Sequence, residues 1–287
     1  MKLILCGKGG CGKSTIATLL ARSYAADGKQ VLVVDSDESN FGLHRQLGLE
    51  LPEDFTHYFG HKKGIYADGA ADVFEGGWHL SDIPAEYSSV DGNIRLMAIG
   101  KIHDAGEGCA CAMGSLNRIF LEHLVLDDND VCIVDTEAGV EHFGRGVDKF
   151  ADAILMVADP SFESIMLTDK ITEMAESFEK PVYIVLNKVD ADQEAMMRET
   201  IKNSDKIIAA LPADKGILAA GLRGEALNTE LPEVDADQEA MMRETIKNSD
   251  KIIAALPADK GILAAGLKGE ALTAELPEVD AIRNALK

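Results

Sequence analysis

The sequence predicts an α/β fold in which helices cover both faces of a doubly wound, mostly parallel sheet, giving three layers. Short runs rich in β-branched residues alternate with helical patterns, and these runs are apolar throughout, as strands buried on both faces are. The strand candidates are residues 3–7, 31–35, 131–135, 153–159 and 182–188. Because strands and helices alternate, right-handed crossovers are expected to join parallel neighbours.

Helical patterns separate most of these strands. They cover residues 14–26, 116–124, 162–178 and 193–201. Residues 50–115 contain no such pattern, are rich in glycine and are predicted to be irregular. Because this stretch is longer than a plain connection in a compact domain, it is expected to be functional.

The composition is that of a folded protein with a strongly acidic surface. The 287 residues include 28 Lys and Arg against 49 Asp and Glu, a formal net charge of −21. Such a field repels nucleic acids and anionic lipids, so neither is an expected partner. No run approaches the ~18 apolar residues of a membrane span, and the N-terminus suits a strand rather than a signal peptide. Five cysteines, an odd number, favour free thiols in a cytoplasmic protein.

The C-terminal part contains a tandem repeat with a period of 45 residues, since residues 190–234 recur as residues 235–279. The copies differ only at Arg223/Lys268, Asn228/Thr273 and Thr229/Ala274. Two near-identical copies favour a duplication within one domain over a solenoid, which needs at least three diverged repeats. We therefore expect one domain over residues 1–234. Residues 235–287, the second copy plus a tail, are expected to pack on this domain or to swap into another chain.

A phosphate-binding loop is predicted where the first strand meets the first helix. Residues 7–15 read Gly-Lys-Gly-Gly-Cys-Gly-Lys-Ser-Thr. Glycines allow successive backbone N–H groups to point at phosphate oxygens, and the helix N-terminus adds its dipole. In such a loop Lys13 reaches the β- and γ-phosphates, Ser14 ligates magnesium and Thr15 contacts the α-phosphate. The backbone of the intervening residues forms the cradle, namely Gly9, Gly10, Cys11 and Gly12.

Three carboxylates follow predicted strands near this loop: Asp35, Asp37 and Asp135. The carboxyl edge of a parallel sheet is where ligands of open α/β folds lie. Phosphoryl transfer there needs one carboxylate to hold a magnesium-bound water and another to orient the attacking water. Three such residues beside one phosphate loop favour magnesium chemistry over turn formation.

The nucleotide base is left open by the residues themselves. Residues 187–190 read Asn-Lys-Val-Asp, which matches the NKxD pattern that reads guanine in GTPases. On this pattern alone, GTP and ATP are both candidates.

A thiol pair lies in the irregular stretch. Cys109 and Cys111 are separated by one alanine and flanked by small residues, so both thiolates could grip one soft metal ion. Two ligands are half of a four-coordinate site, and a two-fold axis through the metal would supply the other pair from a second copy. Burial as small hydrophobic side chains is the alternative. His103 is the nearest further ligand candidate, whereas Cys6 and Cys132 suit core positions in strands.

With Lys8 at its start, the glycine loop resembles that of the deviant Walker A ATPases, the family of MinD, ParA and the nitrogenase iron protein. The resemblance implies that Lys8 crosses a dimer interface to the partner's nucleotide. It also implies that Asp37 orients the attacking water, that Asp35 belongs to the magnesium shell and that Asp135 is the Walker B-like carboxylate.

The same resemblance favours ATP over GTP. It implies that Asn187 contacts the adenine and that a loop containing Pro212 and Asp214 closes over the base. The repeat supplies an identical second candidate for that loop, with Pro257 and Asp259.

A narrower resemblance comes from residues 135–146, which read DTEAGVEHFGRG. Together with Lys8 and the Cys109–Cys111 pair, this stretch resembles the CooC group, nickel-insertion ATPases that mature carbon monoxide dehydrogenase. The similarity covers residues 1–234. It implies a metallochaperone that dimerises with ATP and holds one nickel or zinc ion between the thiol pairs of two subunits, with carbon monoxide dehydrogenase as client. The alternatives are a regulatory ATPase like MinD or ParA and an iron–sulfur carrier or reductase like the nitrogenase iron protein.

Overall fold

The computed structural model describes residues 1–60, 65, 72–104 and 111–227. Eight strands in this part of the chain form one sheet: β1 (Lys2–Gly7), β2 (Gln30–Asp35), β3 (Ser89–Asp91), β4 (Ile94–Ala98), β5 (Asp130–Asp135), β6 (Ala153–Ala158), β7 (Val182–Asn187) and β8 (Ile207–Leu211). Their order is β3-β4-β2-β5-β1-β6-β7-β8, and only the β3–β4 pair is antiparallel. The mostly parallel α/β sheet is therefore confirmed.

The described helices are α1 (Lys13–Ala26), α2 (Leu43–Leu47), α3 (Cys111–His123), α4 (Glu141–Arg145), α5 (Phe162–Glu176), α6 (Ala191–Thr200) and α7 (Lys215–Arg223). Short 3₁₀ turns occur between them at Phe55–Phe59, Asp72–Phe74, Leu80–Asp82, Ala85–Tyr87, Val147–Phe150 and Ser204–Lys206. The four long helical patterns found in the sequence correspond to α1, α3, α5 and α6.

The sequence prediction was wrong for residues 50–115, which are not irregular throughout. They contain β3 and β4, and β4 pairs in parallel with β2 over five residues from Ile94 to Ala98. Helix α3 begins at Cys111, five residues before the predicted start at Leu116. The apolar run of β4 is short and is flanked by glycines and polar turns, so no local pattern indicated a strand. Its pairing with β2, far away in the chain, stabilises it.

Alternation along the strands divides the core between the two faces of the sheet. Ile4 and Val34 face one side, where they pack with Phe120 of α3. Leu5 and Val33 face the other side, where they pack with α1. A third cluster joins β6 and β7 to α5 and α6. Helices thus cover both faces, as the apolar runs predict.

The first repeat copy supplies the last strand of the described sheet. Strand β8 pairs in parallel with β7, and α7 follows it. Residues 235–287, which hold the second copy and the tail, lie outside the described residues. Their expected packing or swapping stays a prediction.

We predict that a chain lacking residues 235–279 folds with an unchanged thermal midpoint, because one copy completes the sheet. In that shortened chain, Ala209→Asp should lower the stability by several kcal/mol, since Ala209 is buried and a carboxylate there has no partner. Thermal unfolding followed by circular dichroism measures both effects. An exposed substitution, Glu199→Ala, is the control. If the shortened chain itself fails to fold, the second copy is required and the single-copy interpretation is wrong.

Candidate functional site

The loop between β1 and α1 has a backbone that only glycine accommodates. Gly7, Gly10 and Gly12 have φ values of +148°, +78° and +105°. A Cβ at Gly12 would collide with the side-chain nitrogen of Asn187, and one at Gly7 with the carbonyl oxygen of Val157. Gly12 caps α1 without a side-chain hydrogen bond, so no side chain takes up the first N–H groups of the helix. These are the features of an anion-binding helix N-terminus.

A cavity of about 810 Å³ lies beside this loop. Its lining includes Gly9, Gly10, Gly12, Lys13, Ser14, Thr15, Asp37, Asn187, Pro212 and Asp214. The volume is in the range of small-molecule and cofactor pockets. The structure therefore brings the phosphate loop together with the residues expected at the base.

Both lysines of the loop contact groups of their own chain. Lys13 is buried, and its Nζ lies 3.3 Å from the carbonyl oxygen of Gly7. Lys8 is one-third exposed; its Nζ donates to Ser161 Oγ at 2.8 Å and lies 3.2 Å from Asp159 Oδ2. Burial opposes the ionisation of Asp159, but hydrogen bonds from neighbouring serines and the charge of Lys8 lower the pKa of this carboxyl. Lys8 is thus held within the subunit by an ionised partner.

Ser14 and Asp135 lie together below the loop. Ser14 Oγ donates to Asp135 Oδ2 at 2.5 Å, and Asn40 Nδ2 donates to Ser14 Oγ at 2.9 Å. Asp135 is fully buried, and its Oδ1 has no hydrogen-bond partner. Burial, followed by the charge of Asp35, raises the pKa of Asp135 to about 7.

This pair fits a magnesium site. A hard cation prefers oxygen ligands, and a hydroxyl beside an unpartnered buried carboxylate oxygen offers them. Ser14 would hold the ion directly and Asp135 through a water. When bound there with a nucleotide, magnesium neutralises charge on the phosphates.

Asp35 has a different environment from Asp135. Its Oδ2 lies 2.7 Å from Nζ of Lys101, and its Oδ1 accepts the N–H of Asp37 at 3.2 Å. Burial raises the pKa of Asp35 to about 6, although the charge of Lys101 opposes this shift. Both carboxylate oxygens thus have protein partners, and the assignment of Asp35 to the magnesium shell stays a prediction.

Lys101 is a residue of the site that no sequence pattern indicates. This lysine is fully buried, and no motif includes it. The only signal was a single basic residue just after the apolar run of β4, within the stretch taken as irregular.

Asp37 lines the cavity. Its Oδ1 accepts the backbone N–H of Ser39 at 3.0 Å and the hydroxyl of the same residue at 2.7 Å. These bonds orient the carboxylate within its loop. The expected contact with the attacking water is not tested by this geometry and stays a prediction.

Where the base is expected, the cavity is lined by Asn187 and by Pro212 and Asp214 of the first repeat copy. Asn187 Nδ2 donates to the carbonyl oxygen of Cys11 at 2.7 Å, so this residue also holds the phosphate loop. Pro212 and Asp214 line the cavity, whereas the second candidates Pro257 and Asp259 lie outside the described residues.

Asp190, the last residue of the NKxD pattern, is engaged elsewhere. Its carboxylate accepts the N–H of Gln193 at 2.9 Å, and the side chain of Gln193 accepts the N–H of Asp190 at 2.8 Å. This capping box begins α6. Asp190 is not among the residues that line the cavity. The structure thus gives this aspartate a helix-capping role.

The segment after β5 carries buried ionisable side chains. Glu137 pairs with Arg145, and burial raises the pKa of Glu137 to about 7. His142 and Asp148 are also buried, and His142 Nε2 lies 3.6 Å from Asp148 Oδ1 without a hydrogen bond. Burial lowers the pKa of His142 to about 3 and raises that of Asp148 to about 7. Both side chains are therefore uncharged between about pH 3 and pH 7.

Of the thiol pair, Cys111 lies exposed at the first residue of α3, and Cys109 falls outside the described residues. The sulfur of Cys111 is in a disulfide bond, so metal ligation as a thiolate requires its reduction. Cys6, Cys11 and Cys132 are buried free thiols, as expected for core positions. Burial raises the pKa of Cys11 to about 11 and that of Cys132 to about 12.

Two features are absent from the described residues. They contain no cluster of three His, Cys, Asp or Glu side chains placed to hold a metal ion. Among the same residues, no helix has the length and apolar character to cross a membrane.

The glycine loop that opens α1, with Lys13 and Ser14 at its end and buried Asp135 beside them, defines the class of P-loop nucleotide-binding proteins. The chain belongs to the family of the CobQ/CobB/MinD/ParA nucleotide-binding domain, which matches residues 2–227. It is an ATP-binding ATPase of the MinD/ParA type.

Comparisons with individual proteins agree with this assignment. An uncharacterised ATP-binding protein of Methanocaldococcus jannaschii is 51% identical over 240 residues, which cover 81% of this chain and 96% of the relative. The carbon monoxide dehydrogenase accessory protein CooC of Rhodospirillum rubrum is 28% identical over 231 residues, covering 78% and 88% of the two chains. The CooC group is therefore a distant relative.

A solved structure shares the fold. The septum site-determining protein MinD of Pyrococcus horikoshii, solved with Mg-ADP, superposes with a TM-score of 0.60 at 18% identity. The match covers 85% of this chain and 93% of that one. At this identity the likeness shows a common architecture only.

We predict that Asp135→Asn stabilises the nucleotide-free protein at alkaline pH. The pKa of Asp135 is raised in the folded state, so its contribution to stability is full below about pH 4 and is lost as the pH rises through about 7. The variant should raise the thermal midpoint by about 5 °C at pH 8 and by less at pH 5, while weakening magnesium-dependent nucleotide binding. Asp128→Asn, at an exposed position, is the control. An equal effect at both pH values would contradict the argument.

We predict that ATP displaces a fluorescent ATP analogue at lower concentration than GTP does. Asp190 caps a helix instead of lining the cavity, so it is not placed to read guanine. Asp190→Ala should therefore lower stability by about 1 kcal/mol through loss of the cap and leave the ATP-to-GTP ratio unchanged. A ratio that shifts in this variant, or stronger displacement by GTP in the wild type, would reverse the assignment.

Proposed function

We propose that this protein is an ATP-hydrolysing metallochaperone. In this proposal, nucleotide brings two copies together, and a soft divalent ion, nickel or zinc, is held by Cys109 and Cys111 of both subunits for insertion into a client enzyme. The observation that carries the proposal is the position of Cys111, exposed at the start of a helix whose Gly114 packs against Arg145, in the segment that follows Asp135.

A glycine of α3 provides this packing. Gly114 is buried, and a Cβ there would collide with the side chain of Arg145. Arg145 in turn donates to Glu137, two residues after Asp135. The helix that begins with Cys111 therefore contacts the segment that follows the magnesium-site carboxylate. In this proposal, a movement of the segment after Asp135 on nucleotide binding shifts the helix that carries Cys111. The nucleotide and the metal ion then affect each other's affinity.

The proposed stoichiometry follows from the number of thiolates. Each chain offers two soft ligands, and the described residues contain no cluster that would complete a four-coordinate site within one subunit. A two-fold axis through the ion supplies the other two from the partner. Both cysteines must lose a proton to ligate, so metal affinity should fall as the pH decreases.

In the proposed reaction, Asp37 orients a water whose oxygen attacks the γ-phosphorus, and the bond to the β–γ bridging oxygen breaks. Lys13 leaves the carbonyl oxygen of Gly7 to contact the phosphates. Lys8 exchanges Asp159 for the partner's nucleotide when the dimer forms. Charge stabilisation and positioning by these residues account for the catalysis.

The client is proposed as carbon monoxide dehydrogenase because the similarity to the Rhodospirillum CooC protein covers 78% of this chain. An iron–sulfur cluster carried by the same four thiolates is the second candidate. It is distinguished by the visible absorbance of anaerobically purified protein.

We predict that the reduced protein binds one nickel or zinc ion per dimer and that Cys109→Ser/Cys111→Ser binds none. Nickel or zinc should raise the dimer fraction, and ATP should tighten metal binding because both ligands stabilise the same interface. Metal analysis combined with light scattering measures these effects. Cys132→Ser, at a buried strand position, is the control for loss of a thiol. One ion per monomer, or retention of metal by the double variant, would refute the proposed site.

A further inference from the structure

We infer that Lys101 is a positioning residue for ATP hydrolysis, which fixes the loop of residues 36–42 so that Asp37 faces the cavity. The inference rests on the ATPase activity within the proposed function and is independent of the metal cargo. Its basis is the network that the buried ammonium group makes at the end of β2.

Lys101 uses all of its hydrogen-bonding capacity on this network. Its Nζ donates to Asp35 Oδ2 at 2.7 Å, to the carbonyl oxygen of Asp37 at 2.6 Å and to that of Asn40 at 2.6 Å. An ammonium group has three donors, and each has a partner here. One bond anchors the lysine to the sheet, and the other two hold the loop on both sides of residues 38 and 39.

Neighbouring groups hold the same loop against the segment that follows β4. The N–H of Ile102 donates to the carbonyl oxygen of Glu38 at 3.0 Å. The ring of Phe41 packs edge-on against His103, with centroids 5.8 Å apart, and Nζ of Lys101 lies 5.7 Å from the centroid of the Phe41 ring. The loop is thus attached along its length to residues 101–103.

The attached loop carries two groups of the candidate site. Asp37 lines the cavity, and Asn40 donates to the hydroxyl of Ser14. A displacement of about 1 Å at a positioned catalytic group costs on the order of 100-fold in rate. If Lys101 is removed, the carbonyl groups of Asp37 and Asn40 lose their buried donor, and the loop is free to move away from the cavity.

A simpler role for Lys101 is to neutralise the buried charge of Asp35. That role requires only the contact with the carboxylate, whereas the two carbonyl bonds hold the loop. A double variant that also removes the charge of Asp35 distinguishes these two roles of Lys101. Lys101→Met alone leaves a buried carboxylate without a cation, which is strongly destabilising. Lys101→Met/Asp35→Asn removes both charges and leaves the two carbonyl groups without their donor.

The test compares wild type, Asp35→Asn, Lys101→Met/Asp35→Asn and the control Lys170→Met, at an exposed lysine whose ion-pair partner Glu173 is also exposed. ATP turnover, KM, nucleotide affinity and thermal midpoint are measured for each. We expect the double variant to bind nucleotide within a few-fold of Asp35→Asn but to turn over about 100-fold more slowly. Lys101→Gln/Asp35→Asn, which keeps a shorter donor, should recover part of this loss.

Equal turnover in Asp35→Asn and the double variant would show that Lys101 only neutralises charge and would overturn the inference. A raised KM at unchanged kcat would also overturn it, because the role would then be in binding. If Lys101→Met/Asp35→Asn does not fold, the turnover and KM of Lys101→Gln/Asp35→Asn are compared with those of Asp35→Asn by the same criteria. No ATP turnover in the wild type would instead refute the proposed ATPase function, so the two failures are distinguishable.

Discussion

Two buried carboxylates lie side by side at the carboxyl edge of the sheet, because Asp35 and Asp135 end adjacent strands in register. Two buried carboxylates repel each other when both are ionised, and neither is solvated by water. Each is therefore stabilised by a cation, a proton or a hydrogen bond. Asp35 has Lys101, whereas Asp135 has only the hydroxyl of Ser14 and one oxygen without a partner. Asp135 is therefore the carboxylate that gains most from a proton or a cation, in agreement with its pKa, which burial raises to about 7.

The rest of the site is arranged around this charge. The glycine loop passes so close to β6 and β7 that side chains at Gly7 and Gly12 are excluded. Asn187 fixes the loop from the end of β7, and Lys188 donates to the carbonyl oxygen of Gly10 at 2.7 Å. Residues at the end of a sheet strand thus fix the backbone of the glycine-rich loop. The loop is thus held by contacts within the protein itself, and such preorganisation reduces the ordering cost of binding.

Local patterns were sufficient to predict the parallel strands β1, β2, β5, β6 and β7, the glycine loop and the carboxylates at strand ends. The sequence failed where long-range contacts decide the structure. Burial of Lys101 depends on β4 pairing with β2, and no local pattern around residue 101 signals it. The capping role of Asp190 was visible as an Asp-x-x-Gln spacing, but the same aspartate ends an NKxD pattern, and the sequence alone does not choose between two motifs that share a residue. The Gly114–Arg145 contact joins two elements far apart in the chain, so it required the fold.

The first repeat copy provides β8, and the second contains the same strand sequence, Lys-Ile-Ile-Ala-Ala-Leu-Pro, at residues 251–257. Contacts with β7 would be identical for either copy, so only the length of the connection distinguishes them. The chain spans residues 188–206 to reach the first copy and would span residues 188–251 to reach the second. Loop-closure entropy favours the shorter connection by only about 1 kcal/mol, on the order of six-fold in population. In the described structure the wall of the nucleotide cavity after β8 comes from the first copy. The duplication gives the sequence a second candidate for that wall, after residues 251–257, and its use stays a prediction.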